Sequence, residues 1–241
     1  TGINGWEFSV EGYYKDMRNV LEYKDGVSFF GSSSGWENKV EIGKGRSAGI
    51  EFMAQKTAGK TTGWLSYTLS KSDRKFTKGG INNGEWFPYK YDRRHSINLT
   101  INHKFSDRID IGASWVFYTG GTSTIPEEKT TVIRPHNGAN NGFLWYGTYD
   151  NTNSSPTIGD VSYIEHRNNF RLPASHRLNL GVNFNKKTKH GMRTWNISLY
   201  NAYNAMNPAW VYRGHNKQGL SVIKKYTLLP LIPSFTYTYK F

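Results

Sequence analysis

The chain contains no cysteine, which excludes disulfide bridges and thiolate metal sites. Long apolar runs are missing too. No stretch approaches the ~20 apolar residues that a membrane-spanning helix needs. Aliphatic side chains are scarce: 37% of the 241 residues are hydrophobic, yet 15% are aromatic, with 16 Tyr, 13 Phe and 8 Trp. A mean hydropathy of -0.66 does not exclude spanning strands, because every second residue of such a strand is polar. Acidic residues are few, 18 Asp and Glu against 31 Lys and Arg, for a net charge of +13. A basic balance can serve nucleic acid. Here the basic residues are scattered through turns and alternate strand positions, with no dense basic helix or arm, and nucleic-acid binding is set aside.

What the chain does have is alternation. Residues 94–105 place His95, Ile97, Leu99, Ile101, His103 and Phe105 on one face. Arg94, Ser96, Asn98, Thr100, Asn102 and Lys104 fall on the other. After the turn Ser106-Asp107-Arg108 the pattern resumes with Ile109, Ile111, Ala113, Trp115 and Phe117. Strict alternation of this length means strands, and the tight turn makes them a hairpin. These strands run to about eleven residues, whereas soluble strands usually run about five or six. One face carries no Asp, Glu, Lys or Arg. An Arg or Lys on a lipid face at mid-bilayer costs roughly 2–4 kcal/mol, so a charge-free face opposite a polar one is what a transmembrane barrel strand requires. Backbone satisfaction in lipid also permits only helices or closed barrels.

The same reading along the chain gives strands near residues 5–15, 46–57, 62–72, 176–187, 193–203, 209–213, 221–228 and 234–241. With the central hairpin that makes about ten, an all-β antiparallel transmembrane barrel architecture. Connections alternate long and short. Residues 16–45, 73–92 and 120–175 are long; those at 58–60, 106–108 and 189–191 are tight turns. A loop the size of residues 120–175 is foreign to a compact soluble domain. In a membrane barrel external loops are long and periplasmic turns short. His95-Ser96-Ile97-Asn98-Leu99 and His176-Arg177-Leu178-Asn179-Leu180 echo each other, each opening a strand after a long connection.

Motifs that suggest chemistry fall to their context. Residues 54–61 read A-x-x-x-x-G-K-T, but a phosphate loop leads into a helix, and here a strand follows. Gly31-Ser32-Ser33-Ser34-Gly35 matches G-x-S-x-G without the strand-to-helix turn of a nucleophile elbow. The seven His show no metal-ligand spacing. Asp150, Asn151, Asn153 and Asp160 lack the spacing of a calcium loop. No cofactor and no metal site is expected. The loop aromatics Trp36, Trp86, Trp145, Tyr146 and Tyr149 remain as candidate ligand contacts, against the alternatives of loop packing or an aromatic girdle.

Several pieces, in order, resemble the C-terminal barrel portion of TonB-dependent outer-membrane receptors, in the form common in Bacteroidota. Residues 45–51 (GRSAGIE) resemble that family's G-x-[SA]-x-G-x-E strand start, and residues 63–70 (GWLSYTLS) its GW-x-SYTLS strand. Asp92-Arg93-Arg94-His95 is similar to the D-[RQ]-R-H strand entry, and residues 115–120 to a strand ending in TG. Residues 171–178 resemble RLP-x-[YS]-HRLD, with Asn179 where Asp is usual. Residues 200–208 resemble YNAYN…NP, and residues 230–235 lead to a terminal aromatic, Phe241, like the signal read by the barrel-assembly machinery.

The resemblance implies a 22-stranded barrel with a plugged lumen. All of residues 1–241 would be its C-terminal part, with the plug and earlier strands upstream of Thr1. It implies active import of a scarce nutrient (iron chelate, cobalamin, glycan or peptide) driven by the TonB complex of the inner membrane, with no enzyme chemistry in the barrel. Arg94, Asn98, Asn102, Arg177 and Asn179 would face the lumen and plug. Outer-membrane lipid and lipopolysaccharide would surround the wall, suiting the positive charge, and a surface lipoprotein is a further partner known in the family. The alternatives are a passive porin or adhesin and a ten-stranded outer-membrane protease, the latter needing a carboxylate–His pair for which only Asp92 and His95 offer themselves.

Overall fold

The computed structural model describes residues 5–24, 35–77, 80–126, 128–134 and 157–241. Its strands, in chain order, are β1 (Trp6–Tyr23), β2 (Val40–Lys56), β3 (Thr61–Lys75), β4 (Phe87–Pro88), β5 (His95–Lys104), β6 (Ile109–Tyr118), β7 (Thr122–Ser123), β8 (Glu128–Arg134), β9 (Thr157–Tyr163), β10 (Phe170–Arg171), β11 (Ser175–Thr188), β12 (Gly191–Tyr200), β13 (Pro208–His215), β14 (Ser221–Thr227) and β15 (Ile232–Lys240). Two 3-10 turns, Trp36–Lys39 and Ile81–Gly84, lie in the connections. No described helix is long and apolar enough to cross a membrane.

Eight long strands form one antiparallel wall in the order β1-β2-β3-β5-β6-β11-β12-β15, with β4 added beside β3. The register keeps the two faces distinct. Val10, Phe52, Tyr67, Ile97, Phe117 and His176 are successive cross-strand partners on one face. Ser66, Asn98, Val116 and Arg177 are successive partners on the other. A shift of one residue at any seam would interchange the faces, so the continuous apolar sheet surface fixes the register. Much of that surface is open: Val10 is 71% exposed, Phe52 36% and Phe235 65%. An apolar surface of this extent marks contact with lipid or protein. The wall is not closed, because β1 and β15 each pair on one side only among the described residues.

Aromatic and His side chains collect at both ends of the apolar face. At the end of the long connections, the Tyr67 hydroxyl and His95 Nδ1 share a hydrogen bond at 2.9 Å. The Tyr203 hydroxyl accepts from Trp115 Nε1 at 3.1 Å and pairs with His176 Nδ1 at 2.9 Å. At the turn end, Thr61 Oγ1 meets His103 Nδ1 at 2.7 Å, and Trp195 packs on Phe235 and Tyr237. His95 and His103 are eight residues apart, about 27 Å along an extended strand. A tilt of roughly 40° brings that to about 21 Å, close to the ≈ 25 Å apolar band of an outer-membrane barrel between its aromatic girdles.

Three strand expectations are corrected. The first connection is much shorter than residues 16–45, because β1 runs to Tyr23 and β2 starts at Val40. A bulge between Arg18 and Val20, with Asn19 at φ 57°, breaks the alternation there. Charges such as Asp16 and Arg18 end the apolar pattern without ending the pairing. Second, residues 120–175 are not structureless, since they contain β7 to β10. Third, two of the ten expected strands leave the wall. β13 and β14 pair with each other, and β12 pairs directly with β15. Asn201 explains that closure. Its side chain accepts from Ala205 N at 2.8 Å and donates to the carbonyls of Ala205 (3.0 Å) and Leu229 (3.1 Å). One buried amide thus clamps both roots of the β13–β14 excursion.

Candidate functional site: the loop-bearing end of the wall

The polar face is tied together by side chains that alternation placed there. Asn98 Nδ2 donates to Ser66 Oγ at 3.4 Å. Near the turn end, the Asp110 carboxylate accepts from Asn183 and Asn185, each at 2.6 Å, and Asn196 donates to Asn183 at 2.7 Å. Asn102 lies beside Gly112, where an added Cβ would meet its Oδ1 at 3.1 Å. Asn179 Oδ1 accepts from Asn201 N at 3.2 Å. Arg177 stacks its guanidinium 4.3 Å from the Tyr200 ring and donates Nη1 to the Tyr200 hydroxyl.

At the loop-bearing end of this face sits a buried ionic knot. Asp92 is 1% exposed. Its carboxylate accepts from Ser72 N at 2.7 Å, Arg94 Nε at 3.2 Å and Arg171 Nη2 at 2.6 Å. Arg171 Nη1 also donates to the carbonyls of Asp92 (2.8 Å) and Gly120 (2.9 Å). These two residues join two connections, residues 76–94 and 119–174, to each other and to β3. A carboxylate this buried is tolerable because three donors, two of them cationic, replace its water.

Segment 165–171 acts as a strut across the same end. Arg167 donates Nη2 to Glu22 Oε1 at 3.1 Å and Nη1 to Tyr23 O at 2.8 Å, while its backbone N donates to Asn82 Oδ1 at 2.7 Å. Asn168 Nδ2 donates to Pro88 O at 2.7 Å. Beneath it, Phe76, Ile81 and Phe87 form a small buried core against Val20. Gly43 leaves room for it: a Cβ there would lie 2.4 Å from the Phe76 ring.

A concavity of about 310 Å³ opens on the polar face beside the knot, lined by Arg93, Ser96, Asn98, Tyr118, Ser175 and Arg177 among others. Arg93 stacks 3.9 Å from the Tyr118 ring. Arg177 Nε is buried with no acceptor among the described residues. The cavity therefore presents two guanidinium groups and hydroxyls, a surface suited to oxyanions or carbonyl oxygens.

The expected site residues distribute as follows. Arg94, Asn98, Asn102, Arg177 and Asn179 fall on the polar face, and Arg94 belongs to the knot. Asn98 and Arg177 share the concavity. Trp36 is exposed in the first 3-10 turn. Trp86 stacks on Arg46, 4.3 Å from its ring, and Arg46 also donates to the buried carboxylate of Asp73 at 3.0 Å. That cluster is on the apolar-face side, so Trp86 is turned away from the concavity. Trp145, Tyr146 and Tyr149 lie outside the described residues, as do Asp150, Asn151 and Asn153. Sequence reasoning missed Arg171 and the clamp Asn201 as structural centres. The signal available was that each sits in a motif (R-L-P and Y-N-A-Y-N) whose polar residue fits no alternation.

A wall of long antiparallel strands, apolar on one face, polar on the other and banded by aromatics, defines a transmembrane β-barrel segment. The matching family is "TonB dependent receptor-like, beta-barrel", over residues 1–205. The chain belongs to this family, which is one of outer-membrane, TonB-dependent transport and not an enzyme family. A search of curated proteins found no match.

Proposed function

We propose that this chain forms the C-terminal part of a 22-stranded, plugged barrel that imports a scarce nutrient across the outer membrane. The nutrient is an iron chelate, cobalamin, glycan or peptide. The observation that carries the reading is the open wall with two unlike faces. Its apolar face suits lipid, and β1, an 18-residue edge strand, offers unpaired backbone groups that in lipid must meet further strands. The polar face, with Arg94, Asn98, Asn102, Arg177 and Asn179, would then line the lumen and hold the plug. The loop-bearing end would be the extracellular mouth, beside lipopolysaccharide and open to a surface lipoprotein.

The test is uptake of labelled nutrients by cells expressing the full receptor, with and without the inner-membrane TonB complex. Import that stops when the complex is removed is the expected result. Import that continues unabated points to a passive pore and overturns the reading.

A further inference from the structure

The first three strands carry a charged surface that neither the knot nor the concavity uses. It lies on the apolar-face side of the wall, at the loop-bearing end. Beyond Leu69, the same row of β3 continues with Lys71, Asp73 and Lys75, and the register sets Ala48, Arg46 and Lys44 of β2 opposite them. On β1, Asp16 and Arg18 stand opposite Arg46 and Lys44. Five cations thus share this surface with two carboxylates. Asp73 is taken by Arg46 at 3.0 Å and by Lys71 at 3.4 Å, and Asp16 lies 3.7 Å from Arg18. The Trp86 ring, 4.3 Å from the Arg46 guanidinium, covers it from one side.

The row farthest from the apolar band is the telling one. Arg18, Lys44 and Lys75 are direct cross-strand partners on three neighbouring strands. Arg18 and Lys44 are exposed, and Lys75 is half-buried. Like charges directly opposite each other destabilise a sheet, so this row weakens the wall when nothing lies on it. An anion laid across it reverses the sign. The row spans three strands, about 10 Å, which is wider than one phosphate and suits a headgroup that bears several. Its height points to the source. Lys75 is six residues beyond Leu69, about 20 Å along the strand and about 15 Å along the membrane normal at a tilt near 40°. The headgroup layer of a phospholipid leaflet is only about 5–8 Å deep. Phosphates at the height of this row belong to a lipid with a tall, phosphorylated head.

We propose that the apolar-face side of β1 to β3 docks lipopolysaccharide. Saccharide phosphates lie across Arg18, Lys44 and Lys75, and a phosphate nearer the acyl chains meets Lys71 and Arg46. The chains run down over Leu69, Ile50 and Val10, which are 43%, 57% and 71% exposed. Trp86 then serves the lipid boundary and not the ligand mouth. The inference rests on the reading that the loop-bearing end faces outward, and it names the lipid-binding residues of that end.

The experiment measures apparent Kd on the full receptor, delipidated and immobilised in detergent, for three probes in mixed micelles: rough lipopolysaccharide, the same material dephosphorylated, and phosphatidylglycerol. The expected result is binding of the phosphorylated lipopolysaccharide at least about tenfold tighter than either of the others. Each cation near an anionic lipid surface is worth about fivefold. Lys44→Glu removes one cation and adds an anion, and lowers that binding about 30-fold. It also raises the thermal midpoint of the lipid-free receptor, because Arg18 and Lys75 then flank a carboxylate. The double variant Lys44→Gln with Lys75→Gln lowers binding by a similar factor, and serves if Lys44→Glu does not insert. Lys60→Gln, in the tight turn at the far end, leaves binding unchanged. Equal binding of the phosphorylated and dephosphorylated forms overturns the proposal. So does unchanged binding in the Lys44 variants, an equal loss in Lys60→Gln, or a lower lipid-free midpoint in Lys44→Glu. Phosphatidylglycerol binding as tightly as lipopolysaccharide overturns the choice of lipid. Because the measurement involves no TonB complex, its failure leaves the import reading standing, and TonB-independent uptake would leave the lipid site standing.

Discussion

Replacing Arg171 by Met removes the centre of the ionic knot while keeping most of the side-chain volume. Three charge-assisted hydrogen bonds go at once, to Asp92 Oδ2, Asp92 O and Gly120 O. Breaking a fully buried ion pair from one side costs roughly 3–5 kcal/mol. Two features reduce that figure. The Arg171 side chain is 33% exposed and partly screened, and Arg94 with Ser72 N still serves the Asp92 carboxylate. A loss of about 2–4 kcal/mol is expected, confined to the loop-bearing end, because the wall pairings of β3, β5 and β11 do not depend on this residue. The assay is amide hydrogen exchange on the full receptor in detergent. The amides of Ser72, Thr122 and Leu172, which donate to Asp92 Oδ1, Lys90 O and Gly121 O, should exchange about 30- to 700-fold faster. Amides in the middle of β5 and β6 should not change. The double variant Asp92→Asn with Arg171→Met should cost less than the sum of the singles, since no unpaired carboxylate is left. Unchanged exchange at the three amides would refute the account, as would acceleration spread evenly over the wall.

Three other perturbations probe different parts of the fold. Leu99→Arg, between Leu65 and Trp115 on the apolar face, should lower folding stability in lipid vesicles by about 2–4 kcal/mol, and Asn98→Arg next door by about 1 kcal/mol or less; equal losses would mean that the faces are wrongly assigned. Gly43→Val drives a Cβ to within 2.4 Å of the Phe76 ring and 2.5 Å of Lys75 O, so the Phe76–Ile81–Phe87 core should loosen by about 1–3 kcal/mol, seen as faster trypsin cleavage in residues 76–94, and unaltered cleavage would count against that core. At the turn end, the hydrogen bond and charge of Lys104 hold the Asp107 carboxyl below the usual carboxylate range. The lowered folded value means that this small stabilisation is present above the ordinary carboxylate pKa and is lost as pH falls through the folded one; Lys104→Ala should bring the NMR titration midpoint of Asp107 back up, and no movement would discount the pair.

The wall was legible because lipid imposes a two-residue period. Each of Ile97, Leu99 and Ile101 reports its own face, and the neighbouring strands repeat the message, so local pattern and global sheet agree. Where that constraint stops, so does legibility. Beyond Tyr14 the outer row of β1 turns to Asp16 and Arg18, although the strand continues to Tyr23, since backbone pairing above a membrane needs no apolar face. β13 and β14 could be read as strands but not as a separate hairpin. Their own residues carry no sign of it; the deciding group is the amide of Asn201, fixed outside both strands.

The loop-bearing end resists reading for a related reason. Arg171 meets Asp92 across 79 residues of sequence, and Arg167 meets Glu22 across 145. Neither pair has a periodicity, and a single Arg in a polar connection resembles any solvated one. What the motifs D-R-R-H and R-L-P did convey is that these positions are particular, without conveying that they are particular to each other. The knot and strut hold the bases of the connections in place, and the connections themselves are left free to differ. A receptor mouth built this way separates two tasks. The buried charges near the wall set where each loop emerges, and residues farther out along the loops can change without disturbing those positions.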